Sequence, residues 1–200
     1  MGINTFTNIA ATTAAVNNRF VTSVNMANGA YTVANASPVW QGGCQVTATI
    51  TGIGGNDTPG TLTIVGTDLT GAAQTEVLTL VAGSVATGAK IFRTITSVTQ
   101  AGWVIVSTND TIVVGCAAGS IPCGAPGTLH AVVLNNSVAS TIVVSDSSRT
   151  IATIPASAAA GTYYIYDADF DGYLRVATTS TNDITVIHTR TAVTTFPVYT

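Results

Sequence analysis

Three carboxylates at alternate positions before a glycine, Asp167, Asp169 and Asp171 ahead of Gly172 in YDADFDGY, have types and spacing that could hold a metal ion. A D-x-D-x-D-G run is the first half of a calcium loop, because a hard cation needs several oxygens converging from one tight bend. The match then stops. The position of the closing bidentate glutamate is Thr178, and strand patterns rather than helices flank the run. The segment is therefore read as a solvated hairpin connection between strands over 162–166 and 173–177. Asp167, Asp169 and Asp171 remain the calcium candidate.

The other reactive side chains point away from catalysis. His130 and His188 each fall inside a strand pattern and read as buried or edge-strand imidazoles. A metal pair or a dyad is the sharper alternative, but acid–base–nucleophile sets are recognised by geometry and not by sequence order. Cys44, Cys116 and Cys123 are odd in number and make no disulfide framework. A bridge between Cys116 and Cys123 is open to the spacing, with small buried thiols the simpler reading. Lys90 is the only lysine, which argues against lysine-based chemistry and leaves one donor for an intramolecular isopeptide crosslink. The many Ser and Thr residues are a sheet composition. No phosphate loop or dinucleotide fingerprint occurs. Tyr163, Tyr164, Tyr166, Tyr173, Phe92, Phe170 and Trp103 read as core fillers, with a carbohydrate platform as the alternative. The expectation is no enzyme and no cofactor.

Composition narrows the classes further. Only 8 % of the residues are charged, against roughly 25 % in ordinary globular chains. Six basic and nine acidic residues provide no cationic surface for a phosphate backbone, so no nucleic-acid partner is expected. No run of about 18 residues is free of polar or charged side chains, so no membrane-spanning helix is expected. The first twenty residues hold neither a basic region nor a continuous apolar core, which predicts synthesis and folding in a cytoplasm. So few charges would leave a lone monomer poorly solvated, and predict that neighbours cover much of the surface in a homo-oligomer.

The elements that must carry these residues are strands. Residues 60–81, GTLTIVGTDLTGAAQTEVLTLV, place Leu62, Ile64, Leu78 and Leu80 on one face and threonines on the other. That is a half-buried hairpin with a loop of several residues. Similar short runs recur along the chain and predict an all-β protein of two small antiparallel β-sandwich or barrel-like domains. The division expected is an extended N-terminal arm over 1–36, a sandwich over 37–117, a linker over 118–127, and a second β-domain with a C-terminal tail over 128–200.

The stretch TPGTLTIVGTDLTGAAQTEVLTLVAGSVATGAKIFRTITSVT resembles a domain of tailed-bacteriophage virion proteins. The residues that carry the likeness are Gly66, Thr67, Asp68, Thr75, Glu76, Leu78, Leu80, Thr87, Gly88, Lys90 and Phe92. The second half, with its bend over 168–174, is similar to another β-module of phage structural proteins. The resemblance spans about 45–190 and is one of style. It implies a virion component assembled in the host cytoplasm, most like a head decoration (cement) protein. Such proteins sit as trimers on the major capsid protein and stabilise capsomer junctions. A tail, neck or head-fibre component and a host-glycan-binding module are the alternatives.

Overall fold

The computed structural model describes residues 4–9, 14–38, 42–52, 57–104 and 110–190. They form strands β1 (Asn4–Ile9), β2 (Val16–Asn25), β3 (Ala30–Tyr31), β4 (Cys44–Thr51), β5 (Thr61–Thr67), β6 (Ala73–Thr79), β7 (Val85–Phe92) and β8 (Thr94–Ala101). Then follow β9 (Thr111–Cys116), β10 (Ser120–Cys123), β11 (Gly127–Leu134), β12 (Ile142–Ser145), β13 (Thr150–Ile154), β14 (Tyr163–Phe170), β15 (Leu174–Thr178) and β16 (Ile184–Arg190). The chain is all-β, and no described helix is long and apolar enough to cross a membrane.

Four open antiparallel sheets pair into two sandwiches. In the N-terminal one, β2-β9-β4-β7 packs on β3-β8-β5-β6 around Phe20, Val46, Leu62, Ile64, Phe92 and Val114. In the C-terminal one, β1-β16-β11-β14 packs on β10-β15-β12-β13 around Leu129, Val132, Ile142, Phe170, Leu174 and Val186. Alternation produces this: in β5 every second residue is buried, so each strand delivers one apolar face to a shared core.

The hairpin over 60–81 forms as its pattern predicts, with Leu62 opposite Leu78 and Thr67 opposite Ala73. Its loop is an Asx turn in which the Asp68 carboxylate accepts from the Thr70 amide at 2.8 Å and the Ala72 amide at 3.0 Å. Gly66 cannot carry a side chain there, because a Cβ would overlap the Thr94 carbonyl oxygen across a register shift. A strand break falls at Arg93, between β7 and β8. The chain leaves one sheet at the end of β7 and enters the facing one at β8.

Two features differ from the expected division. The stretch read as an arm is extended, but its described residues are built into both sandwiches. β1 pairs along its whole length with β16, from Asn4↔Thr189 to Ile9↔Ile184, while β2 pairs with β9. Buried Ile9 and Phe20 supply the reason, since each completes a core that would otherwise lose a large side chain. The linker over 118–127 likewise contains β10, which pairs with β15. Gly43 and Ile121 exchange two backbone hydrogen bonds of 3.0 Å, joining the sandwiches. The C-terminal tail lies outside the described residues beyond Arg190, which ends β16.

Candidate functional site

Two β-bulges build the most organised polar array. Between Leu129 and Ala131 the register of β11 shifts against both of its neighbours. Against β16, His130 is an extra residue; against β14, the extra residue is on β14, where Asp167 has a φ of 44°. That left-handed backbone is uncommon outside glycine, and bulges re-aim side chains. Here they bring His130 Nδ1 to 2.8 Å from Asp167 Oδ1 and His130 Nε2 to 3.2 Å from Thr189 Oγ1. With the carboxylate ionised, Nδ1–H donates to Asp167, and Nε2 accepts from the Thr189 hydroxyl when the ring is neutral or donates to it when the ring is charged.

That order, carboxylate to imidazole to hydroxyl, is the order of a nucleophilic triad. Its setting is different. The Asp167 side chain is 68 % exposed and His130 31 %, so water competes for every contact and the ion pair is weak. Neither described cavity is lined by any of the three residues. The array is therefore a set of donors and acceptors held on a sheet surface.

The same outward face carries an apolar row. Phe6, Ile187, Ala131 and Ile165 are aligned across all four strands, with Phe6 67 % and Ile165 68 % exposed at the two edges. Tyr163, one pleat along β14, is 52 % exposed. The face thus joins a polar array to a large apolar surface.

The calcium candidate is not assembled. Asp167 engages His130, while Asp169 accepts from Thr128 Oγ1 at 2.8 Å. Asp171 turns away, its carbonyl accepting from the Ser147 hydroxyl at 2.9 Å. Among the described residues no three His, Cys, Asp or Glu side chains converge on one point. Nor is the segment a hairpin loop. β14 and β15 belong to opposite sheets, and buried Phe170 and Leu174 force the chain to cross between layers at Asp171 and Gly172.

The pair of histidines is likewise separated, because their side chains emerge on opposite faces of one sheet. His188 is 2 % exposed, meets Phe170 edge-on at 6.5 Å, and has no hydrogen-bond partner for either ring nitrogen among the described residues. Burial first, and the charge of His130 second, lower its pKa, so it is held neutral. It lines a cleft of about 470 Å³ between the sandwiches, together with Asp68, Leu69, Lys90, Cys123 and Arg190. Lys90 donates to the Thr75 carbonyl at 2.7 Å. Cys116 faces Cys44 and not Cys123.

One residue that the motif reading missed organises the whole turn region. Asp146, between β12 and β13, accepts from the Ser148 amide at 2.7 Å, the Arg149 amide at 2.7 Å and the Ser148 hydroxyl at 2.9 Å. Burial pushes its carboxyl up, but these donors outweigh burial and hold it at about 2. Arg149 then donates to the Asp169 carbonyl at 2.9 Å, tying this turn to β14. The signal was present as an Asx-turn sequence, Asp-Ser-Ser-Arg.

No protein-family model matches the chain, and no curated protein or solved structure is significantly similar to it.

Proposed function

We propose that this chain is a non-enzymatic virion structural protein, a capsid decoration protein that reinforces capsomer junctions. The observation that carries the reading is the outward face of the β1-β16-β11-β14 sheet. An aligned row with Phe6 and Ile165 two-thirds exposed stands on a chain of which only 8 % is charged. Such a face loses little on desolvation and gains from contact with another apolar surface. The Asp167–His130–Thr189 array beside it supplies direction to that contact. The partner is the major capsid protein or another virion protein, and the chain acts as a trimer or other homo-oligomer. Its setting is the particle, assembled in the host cytoplasm.

The test is reconstitution. Purified protein added to particles lacking it should bind, and the doubly substituted Phe6→Asp, Ile165→Asp protein should not, with its thermal midpoint unchanged. A protein that runs as a monomer and leaves such particles bare sinks the reading. Copy number separates shell from tail, since hundreds per particle mean shell and a dozen or fewer mean a neck or tail component. Exposed Tyr163 favours one second reading, host-glycan recognition. Glycan-array binding that Tyr163→Ala removes would replace the first reading with it.

A further inference from the structure

We propose that Cys44 and Cys116 are the site of a disulfide that locks the N-terminal sandwich. Cys44 begins β4 and Cys116 ends β9, the adjacent strand. Val46 stands opposite Cys116, so Cys44 is its diagonal neighbour, a relation within reach of side chains on one face. Both thiols are fully buried on the core side, and their sulfurs lie 2.6 Å apart. A disulfide bond is about 2.05 Å long, about half an ångström shorter than this separation. Cys123 is held in the other sandwich, where its thiol meets the Ala125 carbonyl oxygen at 3.3 Å.

The co-reactant is a low-molecular-weight disulfide of the glutathione class. Cys44, after losing its S–H proton to solvent, attacks one sulfur of the oxidant. The oxidant's S–S bond breaks, and one thiolate leaves and is protonated. Cys116, deprotonated in the same way, attacks Cys44 Sγ and expels the second thiol. Two protein thiols are oxidised and one external disulfide is reduced to two thiols. Burial, followed by the contact with Cys116, raises the Cys44 pKa, so the closed sandwich scarcely presents a thiolate. The bond accordingly forms only where β4 and β9 come together in the presence of the oxidant, and a chain folded in a reducing cytoplasm holds the pair as thiols until it opens in an oxidising setting. It ties residues 72 positions apart and encloses β5 to β8, which restricts the unfolded chain.

The experiment uses the full chain, reduced in denaturant and refolded with either a glutathione redox mixture or excess reductant, then alkylated in denaturant. After oxidative refolding, intact mass should show one alkylated cysteine, and peptide mapping should place it at Cys123 with Cys44 and Cys116 linked. The thermal midpoint should stand about 10 °C above that of the reduced sample. A Cys123→Ser protein should keep the link. Three alkylated cysteines after oxidative refolding, or a linked peptide containing Cys123, would overturn the proposal. Folded reduced protein should resist the same oxidant, and equal speed in the two states would refute the folding-coupled route.

Discussion

Asp110 in the N-terminal sandwich and Asp146 in the C-terminal one are both hidden from water, at 0 % and 6 % exposure. Their surroundings nevertheless drive the two carboxyls in opposite directions. Asp146 is ringed by amide and hydroxyl donors that hold it ionised at about 2 despite burial. Asp110 is pushed up, by burial first and by the carboxylate of Asp57 second. Burial alone therefore does not set the charge state of an acid; the count of donors aimed at it does. A chain with so few charges has placed one in a cradle and another against a like charge.

The largest way to break this contrast is Asp146→Ala. It strands the Ser148 and Arg149 amides and frees Arg149 from its turn, and should cost the C-terminal sandwich about 3 kcal/mol. Urea unfolding followed by tyrosine signals of β14 should register the loss, while Trp103 emission, read in a Trp40→Phe background and reporting the N-terminal core, should barely move.

The N-terminal counterpart is Glu76, whose carboxylate on edge strand β6 accepts the Ala89 amide at 2.6 Å and the Lys90 amide at 3.1 Å from edge strand β7 of the facing sheet. Gln74 Nε2 adds a bond to the Ile91 carbonyl at 2.5 Å. Glu76→Ala should cost about 1 kcal/mol and move the Trp103 transition instead, since this staple is partly solvated.

Acidity sharpens the comparison with opposite signs. The folded pKa of Asp146 is depressed, so its contribution is complete above the ordinary aspartate value, about 3.9, and is lost as pH falls toward 2. The folded pKa of Asp110 is raised, so its contribution is complete below that value and is lost as pH rises through the raised one. Lowering pH from 5 to 2 should therefore weaken the C-terminal transition first. Asp110→Asn should raise the N-terminal transition at pH 7 and flatten its pH dependence. An unchanged midpoint at pH 7 would show that Asp110 is no liability. The smallest effect belongs to His130→Ala, which should stay within about 0.5 kcal/mol by thermal denaturation because its ion pair is exposed.

Much of the fold was legible because β alternation is a local code. The two faces of the hairpin over 60–81 follow from Leu62, Ile64, Leu78 and Leu80. The candidate site was not legible in the same way. His130, Asp167 and Thr189 stand on three strands, and they meet only because two bulges shift the register by one residue on each side of β11. The aspartates of YDADFDGY looked like a loop because acid and glycine mark turns. Phe170 and Leu174, by demanding burial in facing layers, extended β14 through the first two and left Asp171 at the crossing. Cys44 and Cys116 were too far apart in sequence for spacing to pair them.

What the sequence determined by itself is the all-β character, the face each strand buries, and a surface nearly bare of charge. Period-two alternation decides which side of a strand avoids water, and it does so without knowing the strand's neighbour. Only the tertiary structure decided the neighbours: β1 with β16, β10 with β15, one histidine outward and the other inward. Strand partners are chosen by long-range closure of two cores, so the array on the outer face and the sulfur pair in the inner one exist only after the chain has folded.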